Sequence, residues 1–228
     1  KVFMIKKNVI IVGSGFSAGV LCLHLVSNRL INPVNVLVLG KGDLGSGWAY
    51  SNKINEYRLN VKSDLMKIWN DDPEHFSRWS SINIVDIEAH TDQGSFYKRK
   101  EFHNYFKSCL SSNNVFKKIK KYDEKVIDIN KSNDSKLKWR VICKSGNSYF
   151  SNILILATGF PKPKWPFKIK VPDNSLIKNP WKSNIKNKVL SQDDVLLIGG
   201  GLTAMDCLHF MERRNHKGKI VVITPFGN

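Results

Sequence analysis

Short apolar runs alternate along the chain with segments of helical spacing, the pattern of an α/β protein. Residues 8–12 and 34–39 are apolar except for Asn8 and Asn35, as is typical of buried parallel strands, and residues 15–29 between them predict a helix. The same order returns later, with a strand from residue 194, a helix over 202–213 and a strand over 219–224. The pattern therefore predicts two βαβ units, each the start of a doubly wound sheet.

The segment between these units predicts a helix and a β-meander. Phe102, Tyr105, Phe106 and Cys109 share one helical face within residues 96–110, and a helix start is expected at residues 72–73. Residues 126–129, 137–143 and 148–150 predict short strands that lead into another apolar strand at 153–156. The proline-rich residues 160–166 predict an extended connection. We expect a first domain over 1–165, a linker over 166–193, and the first β-α-β of an incomplete domain over 194–228.

Each βαβ unit contains a glycine-rich turn between its first strand and its helix. The two turns are GSGFSA at residues 13–18 and GGGLTA at residues 199–204. In such a turn the first glycine makes the bend, the second lets the backbone approach a phosphate, and the small third residue lets helix pack on strand. The helix N-terminus offers free N–H groups to the anion. Two such turns predict two nucleotide sites and electron transfer between two cofactors.

Composition and charge change this picture little. The formal net charge of +17 is unusual, but the lysines are spread along the chain, which favours a solvated basic surface over attraction of anionic ligands. No zinc-knuckle or helix-turn-helix pattern supports a nucleic-acid partner, and no segment predicts a membrane span. The four cysteines form no close pair, so we expect reduced thiols and a cytoplasmic protein.

Motifs for hydrolytic or metal chemistry are missing from the sequence. The six histidines show no metal-ligand spacing, so no metal is expected, and GSGFS lacks the central serine of a nucleophile elbow. No catalytic residue is assigned, which suits chemistry carried by a cofactor.

The order of the motifs resembles flavoproteins with two dinucleotide-binding domains. GSGFSA, LGSGWAYS, YRLNVKSDLM, DDPEHFSRW, RKEFHNYF, ILATGFP, NPW and IGGGLTAMD are similar to a bacterial branch of FAD/NAD(P)-binding proteins related to flavin-dependent monooxygenases. The resemblance implies a Rossmann-like FAD-binding domain with a parallel sheet and β-meander, followed by the start of a second Rossmann-like domain. Members of the family usually continue further, so we expect the chain to be a fragment.

The resemblance also implies the site residues. Those expected at the FAD site are Gly13, Ser14, Gly15, Phe16, Ser17, Ala18, Gly40, Lys41, Gly47, Trp48, Tyr50, Asn60, Val61, Met66, Val126, Ala157, Thr158 and Gly159. Those expected at the NAD(P) site are Gly199, Gly201, Leu202 and Thr203. Arg99 matches an arginine common in this family, although its lysine neighbours also suit a solvated position. Asn60 has an alternative role as a partner of buried backbone.

The sequence departs from the family at residue 40. The second strand of such a domain usually ends in a carboxylate that binds the adenosine ribose, and Gly40 stands at that position. Asp43 is close, but it is expected in the following loop. The loss of this contact weakens the prediction of FAD without removing it.

Two function classes follow from these observations. The first is an FAD-dependent oxidoreductase that passes hydride from NAD(P)H to flavin, with monooxygenation of a small molecule as one form. In that class the whole protein is an enzyme and the present stretch alone is inactive. The second is a non-catalytic FAD- or nucleotide-binding or interaction module, which the glycine at residue 40 favours. Oxidation of NAD(P)H in the presence of FAD distinguishes them. Disulfide reductases are disfavoured because no redox cysteine pair is present.

Overall fold

The computed structural model describes residues 7–27, 34–50, 57–134, 136–160, 168, 170, 173–181 and 185–224. The predicted connection over residues 160–166 lies outside this part of the chain apart from residue 160.

The strands of the described residues are short, as is usual for an α/β protein. In chain order they are β1 (Lys7–Val12), β2 (Val34–Leu39), β3 (His90–Thr91), β4 (Gly94–Ser95), β5 (Lys120–Tyr122), β6 (Val126–Lys131), β7 (Trp139–Cys143), β8 (Ser148–Ser151), β9 (Ile153–Leu156), β10 (Val195–Ile198) and β11 (Ile220–Ile223).

The helices vary from one turn to four. They are α1 (Phe16–Ser27), α2 (Gly47–Tyr50), α3 (His75–Asn83), α4 (Arg99–Ser112), α5 (Val115–Lys118), α6 (Ile185–Lys188) and α7 (Leu202–Arg213), with 3-10 turns at Ser63–Leu65, Ile87–Ala89 and Asp173–Ser175.

The central element is a four-stranded parallel sheet in the order β5-β2-β1-β9. Strand β1 is buried from Val9 to Val12 because neighbouring strands flank it and other elements cover it. The antiparallel β6-β7-β8 meander packs beside this sheet, where Val141 and Cys143 join Ile10 and Leu39 in one apolar cluster. The predicted α/β fold with a parallel sheet and meander is confirmed.

The chain divides into two compact units. The first contains residues 1–51, 67–84 and 100–160, and the second contains residues 52–66, 85–99 and 161–228. In the second unit β10 and β11 pair in parallel, β3 and β4 form a small antiparallel ladder, and Phe210 and Met211 of α7 pack on Tyr57 and Ile185. The expected domain boundaries at residues 165 and 193 remain predictions.

Two local expectations are corrected. The helix expected over residues 96–110 begins only at Arg99, because Tyr97 accepts a backbone hydrogen bond from Leu59 and Lys98 forms an antiparallel bridge with Arg58. Strand β5 was not expected, because its sequence KKY has no apolar alternation. It nevertheless pairs with β2, whose residues Leu37, Val38 and Leu39 lie opposite its three residues.

Candidate cofactor site

The first glycine turn connects β1 to α1 and is held between two strand ends. Gly13 has φ of +113°, a conformation that side-chain-bearing residues rarely adopt. Its N–H donates to the carbonyl of Leu39 at 2.7 Å, and the N–H of Ala157 donates to the carbonyl of Val12 at 2.8 Å. A Cβ at Gly13 would collide with the carbonyl oxygen of Ala157. Only glycine therefore fits this bend without moving β9.

The loop after β2 folds onto the turn. The Ser14 hydroxyl donates to the carbonyl of Lys41 at 2.6 Å, and the N–H of Gly45 donates to the carbonyl of Ser14 at 2.9 Å. A Cβ on Gly47 would lie 3.0 Å from the Cα of Gly15, so two backbones meet here. The structure thus brings together four of the predicted residues, which come from two segments about thirty residues apart in sequence: Ser14, Gly15, Lys41 and Gly47.

The residues of this turn fit a pyrophosphate group. A methyl group on Gly15 would meet the Cα of Gly47 at 3.5 Å, an ordinary contact, so there is room beside the Gly15 backbone. Helix α1 begins at Phe16, and its first turn carries no acidic residue. Its N–H groups and partial positive charge are therefore free of a competing carboxylate from that turn.

Aromatic rings surround the start of α1. The ring of Phe16 lies 4.9 Å from those of Tyr50 and Phe106, in edge-to-face geometry, and 5.6 Å from that of Phe102. Pairs of this kind contribute roughly 0.5–1.5 kcal/mol each beyond their burial. The cluster fixes α1 and α2 against α4. Trp48 belongs to α2, but its side chain lies outside the described part of the structure.

The remaining predicted residues of the first unit lie on α1, after β9 and on β6. Ser17 and the buried Ala18 continue α1. Thr158 and Gly159 follow Ala157 at the end of β9 and are exposed. Val126 opens β6 and packs against the apolar cluster of the meander. Their contact with FAD stays a prediction.

Gly40 leaves no room for a larger residue. Its N–H donates to the carbonyl of Tyr122 at 3.1 Å, and a Cβ would lie 2.6 Å from the backbone nitrogen of Ser14. A carboxylate at residue 40 would therefore displace the glycine turn itself. Asp43 lies in the following loop, as expected, with a largely exposed side chain 3.9 Å from the ammonium of Lys107.

The second glycine turn repeats the geometry of the first. Gly199 has φ of +108°, and its N–H donates at 2.8 Å to the carbonyl of Ile223, the last residue of the neighbouring parallel strand β11. Helix α7 then begins at Leu202, with Gly201 as its N-cap and no acidic residue in its first turn. Because no side chain caps it, its first N–H groups can receive a phosphate. Thr203 lies in that first turn.

Asn60, Val61 and Met66 lie in the second unit, on a segment next to residues 85–99. Asn60 is exposed, which does not match its alternative role as a partner of buried backbone. Arg58, two residues earlier, fixes the segment through a two-pronged pair with Asp86 at 2.9 and 3.0 Å. A role of these residues beside the flavin stays a prediction.

A buried ion pair lies against α7 and was missed by sequence reasoning. Arg99 and Asp206 are 8% and 9% exposed, and their side chains are 3.3 Å apart. The guanidinium lies 4.7 Å from the ring centre of Trp181, whose indole N–H reaches the Thr203 hydroxyl at 3.4 Å. Burial raises the pKa of Asp206, and the charge of Arg99 opposes this only in part. One signal was available, because Asp206 shares the buried face of α7 with Phe210.

Within the described part of the chain, neither turn is accompanied by a metal or disulfide site. Among the described residues, no group of three or more histidine, cysteine and acidic side chains is placed to hold a metal ion. All four cysteines are free and buried. Within the same part of the chain, none of the helices has the length and apolar character needed to cross a bilayer.

Comparison with known proteins decides the family. Residues 10–161, about two thirds of the chain and including the first glycine turn, match the family model described as FAD-NAD(P)-binding. The chain belongs to the FAD-NAD(P)-binding family. FAD and NAD(P) are therefore its cofactors, as the sequence predicts, and the expected resemblance is confirmed. No curated protein sequence matches this family member.

Solved structures show the same fold at low identity. An ornithine N-hydroxylase from Kutzneria sp. 744 is 15% identical with a TM-score of 0.70, and the match covers 97% of this chain and 54% of the hydroxylase. A cyclohexanone monooxygenase variant from Rhodococcus sp. Phi1 is 17% identical with a TM-score of 0.61, and the match covers 96% of this chain and 38% of the monooxygenase. A steroid monooxygenase bound to NADP is 16% identical with a TM-score of 0.61, and this match also covers 96% of this chain and 38% of the neighbour. This member of the FAD-NAD(P)-binding family thus spans between about a third and about half of the length of these neighbours.

Proposed function

We propose that the whole protein is an FAD-dependent oxidoreductase that takes hydride from NAD(P)H. The observation that carries this proposal is the repeated turn, in which Gly13 and Gly199 have similar positive φ values, +113° and +108°, and equivalent hydrogen bonds to the end of the next parallel strand. A single nucleotide site would suit a binding module, but two sites of similar geometry suit the transfer of hydride from one bound cofactor to the other. FAD and NAD(P)H supply the hydride chemistry when bound.

In this proposal the residues of the chain bind and orient rather than react. Gly13 and Gly15 let the backbone approach the pyrophosphate of FAD, and the α1 N-terminus binds it. The ring of Phe16 holds that helix start in place through its contacts with Tyr50 and Phe106. Gly199, Gly201, Leu202 and Thr203 serve the nicotinamide nucleotide in the same way. We propose a first domain over 1–165, a linker over 166–193 and a partial second domain over 194–228.

The substrates of the structural neighbours support a substrate class for this protein. Cyclohexanone, steroid and ornithine are small molecules, and the enzymes named for them share this fold. We therefore propose a small-molecule substrate and, as one form of the reaction, monooxygenation. The four free and buried thiols suit a reducing compartment, and we propose the cytoplasm.

The test is anaerobic reduction of the FAD-loaded whole protein by NADH or NADPH, followed as loss of absorbance near 450 nm. We expect loss of this absorbance with one of the two nucleotides and its return on admission of air. Bound FAD that neither nucleotide reduces would refute the oxidoreductase and favour the alternative, a non-catalytic FAD- or nucleotide-binding module.

A variant of the second turn separates the two sites. Gly201 has extended backbone, and a Cβ there would meet nothing within 4 Å among the described residues, so Gly201→Ala should fold. The added methyl would lie where the nicotinamide nucleotide's pyrophosphate is proposed to bind. We expect Gly201→Ala to keep the FAD content of the wild type and to need a higher NAD(P)H concentration for reduction. An unchanged concentration dependence would argue against this site.

A further inference from the structure

The adenosine ribose of FAD lacks its usual partner in this chain. In dinucleotide-binding folds a carboxylate at the end of the second strand accepts hydrogen bonds from the ribose hydroxyls. Here β2 ends at Leu39, and the next residue is a glycine that the turn cannot exchange for a larger residue. Asp43, in the loop after β2, lies 3.9 Å from the ammonium of Lys107. A neighbouring strand that ends at the same edge of the sheet can also supply a carboxylate.

Strand β5 ends at that edge. Its pairing with β2 puts Lys121 opposite Val38 and Tyr122 opposite Leu39, and the Tyr122 carbonyl accepts from the N–H of Gly40. Asp123 is the residue that follows β5, as Gly40 is the residue that follows β2, so the register of the two strands places Asp123 beside Gly40. A carboxylate thus stands one strand away from the position where the family has one.

The Asp123 carboxylate is held in place and open to solvent. Its Oδ1 lies 2.6 Å from the ammonium of Lys121, and its side chain is 72% exposed. The backbone of Gly42, in the loop that follows β2, also favours the ionised form of this carboxylate and lowers its pKa. The hydrogen bond from Lys121 is the main reason why the pKa of Asp123 is lowered, so the group is ionised at neutral pH. An ionised carboxylate with free lone pairs is the acceptor that a ribose diol needs.

We infer that Asp123 binds the ribose hydroxyls of the adenosine half of FAD, in place of the carboxylate absent at Gly40. The inference rests on the proposed FAD site at the first glycine turn. It assigns a ligand-binding role to the residue that follows a short lysine-rich edge strand, where the sequence shows no sign of one. Lys121 is the positioning residue, because its ammonium lies 2.6 Å from the carboxylate.

The experiment measures FAD affinity of the whole protein by titration calorimetry for the wild type and for Asp123→Asn. The amide keeps the size of the carboxylate but loses its charge, and we expect affinity to fall about tenfold or more, the size of a lost charge-assisted hydrogen bond. The matched control is Glu124→Gln, which removes the same charge one residue later. Glu124 is occupied by hydrogen bonds from Ser145 and Asn147, and its replacement should leave FAD affinity within about twofold.

A second arm varies the ligand instead of the protein. ADP and 2′-deoxy-ADP compete with FAD, and they differ only in one ribose hydroxyl. We expect the wild type to prefer ADP and Asp123→Asn to lose that preference. A general change in charge acts on both competitors equally, so only direct contact with the ribose predicts this loss.

Three results would overturn the inference. The first is equal FAD affinity of the wild type and Asp123→Asn, and the second is an unchanged preference for ADP in that variant. The third is tighter binding of adenosine 2′,5′-bisphosphate than of ADP by the wild type, because Lys41 and Lys121 would then receive a 2′-phosphate. A wild type that binds no FAD would refute the proposed FAD site together with the inference, whereas the three results above leave that site standing.

Discussion

Replacement of Gly13 by alanine tests how the first turn is built. An alanine at φ of +113° carries a conformational cost of about 1–2 kcal/mol. Its Cβ would also collide with the Ala157 carbonyl oxygen, with the carbonyl carbon only 2.7 Å away. Relief of this collision moves β9 away from β1 and weakens the bonds from Gly13 to Leu39 and from Ala157 to Val12, each worth about 1 kcal/mol. The expected loss of stability is therefore about 3–4 kcal/mol.

Gly146→Ala is the matched control for this change. Gly146 has φ of +91° in the β7–β8 turn, and a Cβ there would meet nothing within 4 Å among the described residues. An alanine at this position therefore has only the conformational cost of its positive φ, about 1–2 kcal/mol. Thermal unfolding of the whole protein should show a midpoint lowered by about 10 °C for Gly13→Ala and by about half of that or less for Gly146→Ala. Equal midpoints for the two variants would refute the steric argument at Gly13.

Three further predictions concern buried and charged groups. Arg99→Met leaves Asp206 buried without its partner and should lower the free energy of unfolding by about 3 kcal/mol. The double variant Arg99→Met/Asp206→Leu should regain most of this loss, and equal losses for the single and double variants would argue against the pairing. Burial opposes ionisation of Asp86, but the hydrogen bonds and charge of Arg58 outweigh it and lower its pKa. The stability that the ionised Asp86 carboxylate contributes is present above the unfolded pKa near 4 and is lost as pH falls through the lower folded pKa. The free energy of unfolding should therefore fall more between pH 5 and pH 2 for the wild type than for Asp86→Asn. An equal fall for the two proteins would contradict this. Burial raises the pKa of the Cys22 thiol to about 12, so iodoacetamide at pH 8 should label it only after unfolding, as mass spectrometry would show; labelling in the folded protein would contradict its burial.

Elements that carry a strong apolar pattern were predictable. The strand expected at 153–156 and the helix expected at 202–213 have those bounds in the structure. The first is a continuous apolar run, and the second has apolar residues at helical spacing. The helix expected from residue 15 begins at Phe16. The geometry of the first turn was predictable as well, since a strand, a glycine bend and a helix follow one another here as expected.

The parts that escaped prediction depend on contacts between distant segments. Strand β5 is short, lies at the sheet edge and consists of KKY, so only its pairing with β2 reveals it. The Arg99–Asp206 pair joins residues 107 apart in sequence, and the lysines beside Arg99 suggested a solvated side chain. The tight approach of Gly40 to Ser14 was also invisible, because it depends on how the loop folds over the turn.

The central claim is that the first glycine turn holds FAD, and Gly15→Ala tests it most directly. A methyl group at Gly15 meets the protein only at 3.5 Å from Gly47, so the unfolding midpoint should stay within a few degrees of the wild type. The same methyl would occupy the room proposed for the pyrophosphate. Calorimetric titration of the whole protein with FAD should give one site for the wild type and affinity at least about tenfold weaker for Gly15→Ala. Equal affinity of the two proteins, or no FAD binding by the wild type, would contradict the account.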